Sequence, residues 1–186
     1  MLKPLLNAIG FQLGWAMCVI GAAKGVPWAG PAVAVLLLAM HGLLVPAPKA
    51  SLAFVVAVGG AGFVIDSLLG FLGILQFRDG LGPGWICPPW LLALWMLFAT
   101  TPELSLRWLK ERVGLGALLG GIFGPLSYYA GQALGAIAVG KPISISVAIL
   151  AAVWMGVMPL MVAFSPARVP EVLAPTGPDD PPPEGS

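Results

Sequence analysis

A chain of 186 residues that is 59% apolar and only 9% charged, with a formal net charge of +1, cannot clothe itself for water. Soluble domains carry about 25% charged residues, and a mean hydropathy of +0.95 makes lipid the main solvent. The near-zero charge and the lack of a basic patch exclude nucleic acid as a partner.

A spanning helix needs about 20 mostly apolar residues to cover about 30 Å of hydrocarbon, and six stretches qualify: 5–23, 28–45, 51–72, 88–106, 114–134 and 143–164. In the first, Lys3, an apolar run and Gly21-Ala22-Ala23 have the outline of a signal peptide. Asn7, Gln12 and Trp15 interrupt that run and further spans follow directly, so it reads as a retained first helix. Gly10, Gly14 and Cys18 repeat every fourth position, the spacing at which small residues let membrane helices approach closely. Asn7 and Gln12 are expected to make interhelical hydrogen bonds, each worth about 0.6 kcal/mol on average.

Turn chemistry at Lys24-Gly25-Val26-Pro27 and Pro46-Ala47-Pro48-Lys49 brackets the second stretch, where the single histidine, His41, is expected at the membrane interface. In the third, Gly62, Asp66 and Gly70 share one face. Small residues mark contact faces, so Asp66 is expected to point at a neighbouring helix, and a carboxylate at membrane depth is a functional candidate. The widest break, 73–87, holds Arg78-Asp79-Gly80 and Gly82-Pro83-Gly84. Its apolar neighbours Phe71, Ile74, Leu75 and Phe77 predict a segment lying on the membrane surface.

The fourth stretch closes on Thr101-Pro102-Glu103, where an N-cap followed by proline predicts a kink or a restarted surface helix. Glu103 and Arg107 are four apart and would pair on a helix face, with Trp108 as an interface anchor. The fifth carries Gly116, Gly120 and Gly124, then Pro125, which predicts a kink. Ser127 continues the glycine stripe, Tyr128 and Gln132 share the adjacent face, and Tyr129 turns toward lipid. Gly140-Lys141-Pro142 leads into the sixth stretch.

The fold class is thus all-α, a polytopic transmembrane bundle of six helices with short loops, occupying residues 1–164. Residues 165–186 form a proline-rich acidic tail, expected to be disordered. Six of the nine basic residues (Lys3, Lys49, Arg107, Lys110, Arg112 and Arg168) fall on the side of the termini, against Lys24, Arg78 and Lys141. Both termini are therefore expected in the cytoplasm.

The sharpest site that these patterns assemble is a pocket of Asp66, Ser127, Tyr128 and Gln132, with Gln12 from the first helix. Cys18 and Cys87 are too few for a disulfide framework or a metal knuckle. No catalytic residue, metal site or cofactor is assigned.

Three segments resemble a known family: Asn7 with Phe11-Gln12-x-Gly14-Trp15, Leu94-Trp95-x-x-Phe98-Ala99-Thr100-Thr101 with Ser105-Leu106-x-Trp108, and Gly124-Pro125-Leu126-Ser127-Tyr128-Tyr129-Ala130-Gly131. The chain is similar over residues 5–164 to a bacterial inner-membrane family, domain of unknown function 2878. Pro102-Glu103 departs from the family pattern, so Glu103 is not carried over as a family site. The resemblance implies location and topology, and hints at a role in envelope lipids. The leading expectation is a protein that binds or transports a small or lipid-like ligand in a cavity of the bundle. The alternatives are a membrane-embedded enzyme and an accessory subunit that contacts another membrane protein.

Overall fold

The computed structural model describes residues 2–78 and 82–166. Most of the expected tail, Arg168 included, and the Asp79-Gly80 turn lie outside the described residues. Six helices appear in order: α1 (Leu2–Ala23), α2 (Ala29–Leu44), α3 (Pro48–Phe71), α4 (Pro89–Ala99), α5 (Val113–Leu134) and α6 (Ile143–Phe164). Two short strands join them, β1 (Leu75–Phe77) before α4 and β2 (Ile137–Val139) before α6. Four helices, α1, α3, α5 and α6, are long and apolar enough to cross a bilayer. The outward faces of the helices are apolar, with Val35, Leu43, Phe71 and Phe164 among the exposed side chains, as lipid rather than water requires.

The expected fourth span, 88–106, is the main correction. Its helix has only 11 residues, about 16 Å at 1.5 Å per residue. The hydroxyls of Thr100 and Thr101 turn back onto the carbonyls of Leu97 and Phe98, and Pro102 has no N–H with which to continue the helix. The chain leaves through two 3-10 turns, Thr101–Glu103 and Arg107–Leu109, in place of a kinked span or a surface helix.

This short helix is the inner element of the bundle. It packs against α1, α2 and α3 and buries Trp90, Leu91, Ala93, Trp95, Leu97 and Ala99. Irregular backbone at membrane depth must be covered by protein, and side chains from the long helices do this at both ends of α4. At its start, the Cys87 backbone N–H donates to Ser67 Oγ at 3.0 Å. At its finish, Asn7 Nδ2 donates to Thr100 Oγ1 at 2.8 Å, and Asn7 Oδ1 accepts from Ser105 Oγ at 2.7 Å.

One further expectation changes with the same geometry. Glu103 does not pair with Arg107, because the backbone there is no longer α-helical. Instead Glu103 turns inward, where its Oε1 accepts from Ser51 Oγ at 2.6 Å and lies 3.3 Å from His41 Nε2. His41 is buried in this cluster. Within the 73–87 break, β1 pairs antiparallel with β2, Leu75 opposite Val139 and Phe77 opposite Ile137. Leu75 and Phe77 face inward on alternate positions, and the pairing satisfies backbone groups that a solitary strand would leave open.

The strands gather at one end of the bundle. The other end holds the Asn7 clasp, the His41–Ser51–Glu103 cluster, and Lys110 Nζ donating to the Ser165 carbonyl at 3.2 Å. Glycines set the lateral contacts. A Cβ on Gly120 would collide with the Trp154 carbonyl and Met158, and one on Gly124 with the Trp154 ring. Gly14 faces Leu97 and Leu37, while Gly62 lies flat against Trp95.

Gly120→Leu should therefore force α5 and α6 apart and destabilise the protein by about 1–3 kcal/mol. Gly60→Ala, where a Cβ meets open space, should leave stability unchanged. Thermal unfolding of the two variants in a mild detergent measures the difference.

Candidate functional site

The face of α3 that carries Gly62, Asp66 and Gly70 is buried throughout. Glycine on either side lets large side chains close over the acid: Trp95 over Gly62, and the backbone at Trp85 beside Gly70. Asp66 is 0% exposed. Its Oδ2 accepts from Trp95 Nε1 at 2.6 Å and its Oδ1 from the Tyr128 hydroxyl at 2.7 Å. One carboxyl thus ties α3, α4 and α5 together.

Aromatic contacts extend this knot. The Trp95 ring stacks on Trp154 of α6, with centroids 4.9 Å apart and planes at 10°. Phe98 meets the same indole edge-on at 5.4 Å, and Phe11 of α1 meets Phe98 at 5.4 Å. Offset and edge contacts of this kind add to simple area burial. Trp154 Nε1 is buried with no hydrogen-bond acceptor among the described residues.

Beside the aromatic wall runs a cleft of about 620 Å³, within the 300–1,000 Å³ typical of small-molecule sites. It lies between α1 and α5, floored by α4 and Trp154. It reaches from Ser105, next to the Asn7 clasp, to Ile137 in β2. None of its lining residues is charged. Phe123 and Leu126 line it from exposed positions, so the cleft opens sideways between helices.

The predicted site residues divide. Tyr128 joins Asp66 directly and lines the cleft, while Asp66 stands one side chain behind it. Ser127 lines the cleft and returns its hydroxyl proton to the Gly124 carbonyl at 2.7 Å. Gln12 lines the facing wall with an exposed side chain. Gln132 is elsewhere: its Oε1 accepts from the Val139 N–H at 2.7 Å and holds β2 against the end of α5. Sequence reasoning missed Trp95 and the aromatic wall. The available signal was Trp95 and Phe98 three apart on one helix face, opposite a glycine stripe in need of a flat partner.

A second polar cluster, His41, Ser51 and Glu103, has the residue types of a nucleophilic triad but not its order. Such a triad puts the acid on one ring nitrogen and the serine on the other. Here both Ser51 and Glu103 sit on Nε2, at 2.9 and 3.3 Å, and Nδ1 has no partner. The cluster pins α2, α3 and the turn after α4. Among the described residues, no group of three His, Cys, Asp or Glu could hold a metal ion.

Tyr128→Phe removes one of two donors from a buried carboxyl and should cost about 1–3 kcal/mol. Because the two groups act as one unit, Asp66→Asn combined with Tyr128→Phe should cost less than the sum of the single changes. A double-mutant cycle of unfolding free energies in detergent measures that coupling.

The family described as protein of unknown function, DUF2878, matches residues 4–160, from the first turn of α1 to the last turns of α6. No curated protein and no solved structure matches the chain. The match includes the Asn7 clasp, the short central helix, and the Asp66, Trp95 and Tyr128 knot: the chain belongs to the DUF2878 family.

Proposed function

We propose that this protein resides in a bacterial inner membrane, crosses it six times with both termini on the cytoplasmic side, and binds or transports an amphipathic or lipid-like ligand. The observation that carries the reading is the α1–α5 cleft. Its volume suits a small molecule, its walls are aromatic and aliphatic, and a few polar groups, Gln12, Ser127 and Tyr128, punctuate it. Its sideways opening gives an acyl chain access from the bilayer without passage through water. Kinked and discontinuous helices with buried polar groups are where membrane transporters place their substrates, and α4 is such an interrupted element.

A membrane-embedded enzyme is the second reading. It is favoured by the Tyr128–Asp66 hydrogen bond, which sets a hydroxyl beside a carboxylate at the cleft wall, the arrangement that proton transfer requires. Cells lacking the gene would then show an altered envelope-lipid profile, whereas a binding protein would leave the lipid species themselves unchanged.

Mass spectrometry of molecules retained by the gently purified protein tests the leading reading. Ala130, on the cleft wall, offers a place to fill it. Ala130→Trp should lower ligand retention by about tenfold, equivalent to about 1.4 kcal/mol. Equal retention by the variant and the parent would refute binding in this cleft. For orientation, a reporter that is active only in the cytoplasm should function when fused after the tail, because Lys3, Lys49, Arg107, Lys110 and Arg112 lie toward that side.

A further inference from the structure

The α1–α5 cleft has an acid behind its wall that no cation among the described residues answers. Among the described residues the single ion pair is His41 with Glu103, at the other end of the bundle. Asp66 instead receives two neutral donors, the Trp95 indole N–H and the Tyr128 hydroxyl. An indole can only donate, so Oδ2 is held as an acceptor, and Oδ1 takes the Tyr128 proton. Both oxygens are thus engaged as those of a carboxylate would be. Burial at this depth favours a counter-charge, and the helices supply none.

Trp95 and Tyr128, the two donors to Asp66, both line the cleft. With its proton committed to Asp66, Tyr128 offers only lone pairs to a ligand. Around them, Phe11, Trp15, Phe98 and Trp154 complete an aromatic wall. Trp95 gives its faces to Gly62 and Trp154; the faces of Phe11, Trp15 and Phe98 carry negative potential and attract cations, most strongly where water is excluded. Among the described residues, no lysine, arginine or histidine lines the cleft to compete with a positive ligand or to attract a negative one.

We propose that the cleft selects a ligand carrying a cationic nitrogen on an apolar body, an amine or a quaternary ammonium. The aromatic wall and the Tyr128 hydroxyl would hold it, with Asp66 as the counter-charge one side chain behind. This rests on the reading of the cleft as the ligand site and adds the chemistry of the headgroup.

Three probes of one chain length separate the two claims: decyltrimethylammonium, decanol and decanoate, titrated into the purified full-length protein in a neutral maltoside detergent with tryptophan fluorescence as readout. The cation should bind about tenfold more tightly than either of the others. Asp66→Asn should abolish that preference while leaving decanol affinity within about twofold. Should Asp66→Asn fail to fold, Trp15→Leu, at a half-buried position on the α1 wall, should weaken the cation about threefold more than it weakens decanol. Equal binding of all three probes by the parent would overturn the charge selection and leave the cleft standing. Binding of none would overturn the cleft itself, and an undiminished preference in Asp66→Asn would remove Asp66 from the account.

Discussion

An eleven-residue helix set at the centre of a lipid-facing bundle imposes a demand on everything around it. Both of its ends leave backbone groups that the helix itself cannot satisfy. The long helices meet that demand with polar side chains aimed at those ends: Ser67 from α3 at the start and Asn7 from α1 at the finish. Asp66 adds a third hold on the middle of α4, through Trp95. Several polar residues of this apolar chain are thus gathered around its shortest α-helix.

Volume is arranged with the same economy. Lipid gives helices no hydrophobic reason to associate, so close fit has to supply the contact. Glycines on α5 receive Trp154 and Met158 of α6, and Gly62 on α3 receives the Trp95 ring. The two indoles that the glycines admit then stack on each other at 4.9 Å. Small residues on the outer helices and large rings at the centre are two halves of one packing solution. Where α1 and α5 lack such a fit, the bundle leaves its cleft.

The two ends of the molecule differ in chemistry. One end is tied by charged and hydroxylic groups, with His41, Ser51 and Glu103 beside a smaller cleft of about 340 Å³ that Lys3, Arg107 and Lys110 line. The main cleft has no charged lining among the described residues, and Asp66 behind its wall is met by an indole and a phenol. A polar anchor at one end and an aromatic, laterally open cavity along the bundle give the molecule two chemically distinct regions.

By itself the sequence determined the solvent, the helices and the direction in which Asp66 points. Each of these rests on local pattern: apolar runs of spanning length, and small residues every fourth position that mark a contact face. The six helices lie close to their expected places, and the meeting of Asp66 with Tyr128 follows from two such faces. Tertiary structure alone decided where α4 stops, since the Thr100 and Thr101 hydroxyls compete with a helix only in a particular setting. It also decided that Glu103 turns to Ser51 and His41 rather than to Arg107, and that Gln132 serves β2 rather than the cleft. The β1–β2 pair could not be foreseen, because three-residue strands carry too few positions to show a period. The aromatic wall is a property of four helices at once. No single segment records which rings will meet, because their meeting depends on interhelical distances that the glycines of other segments set.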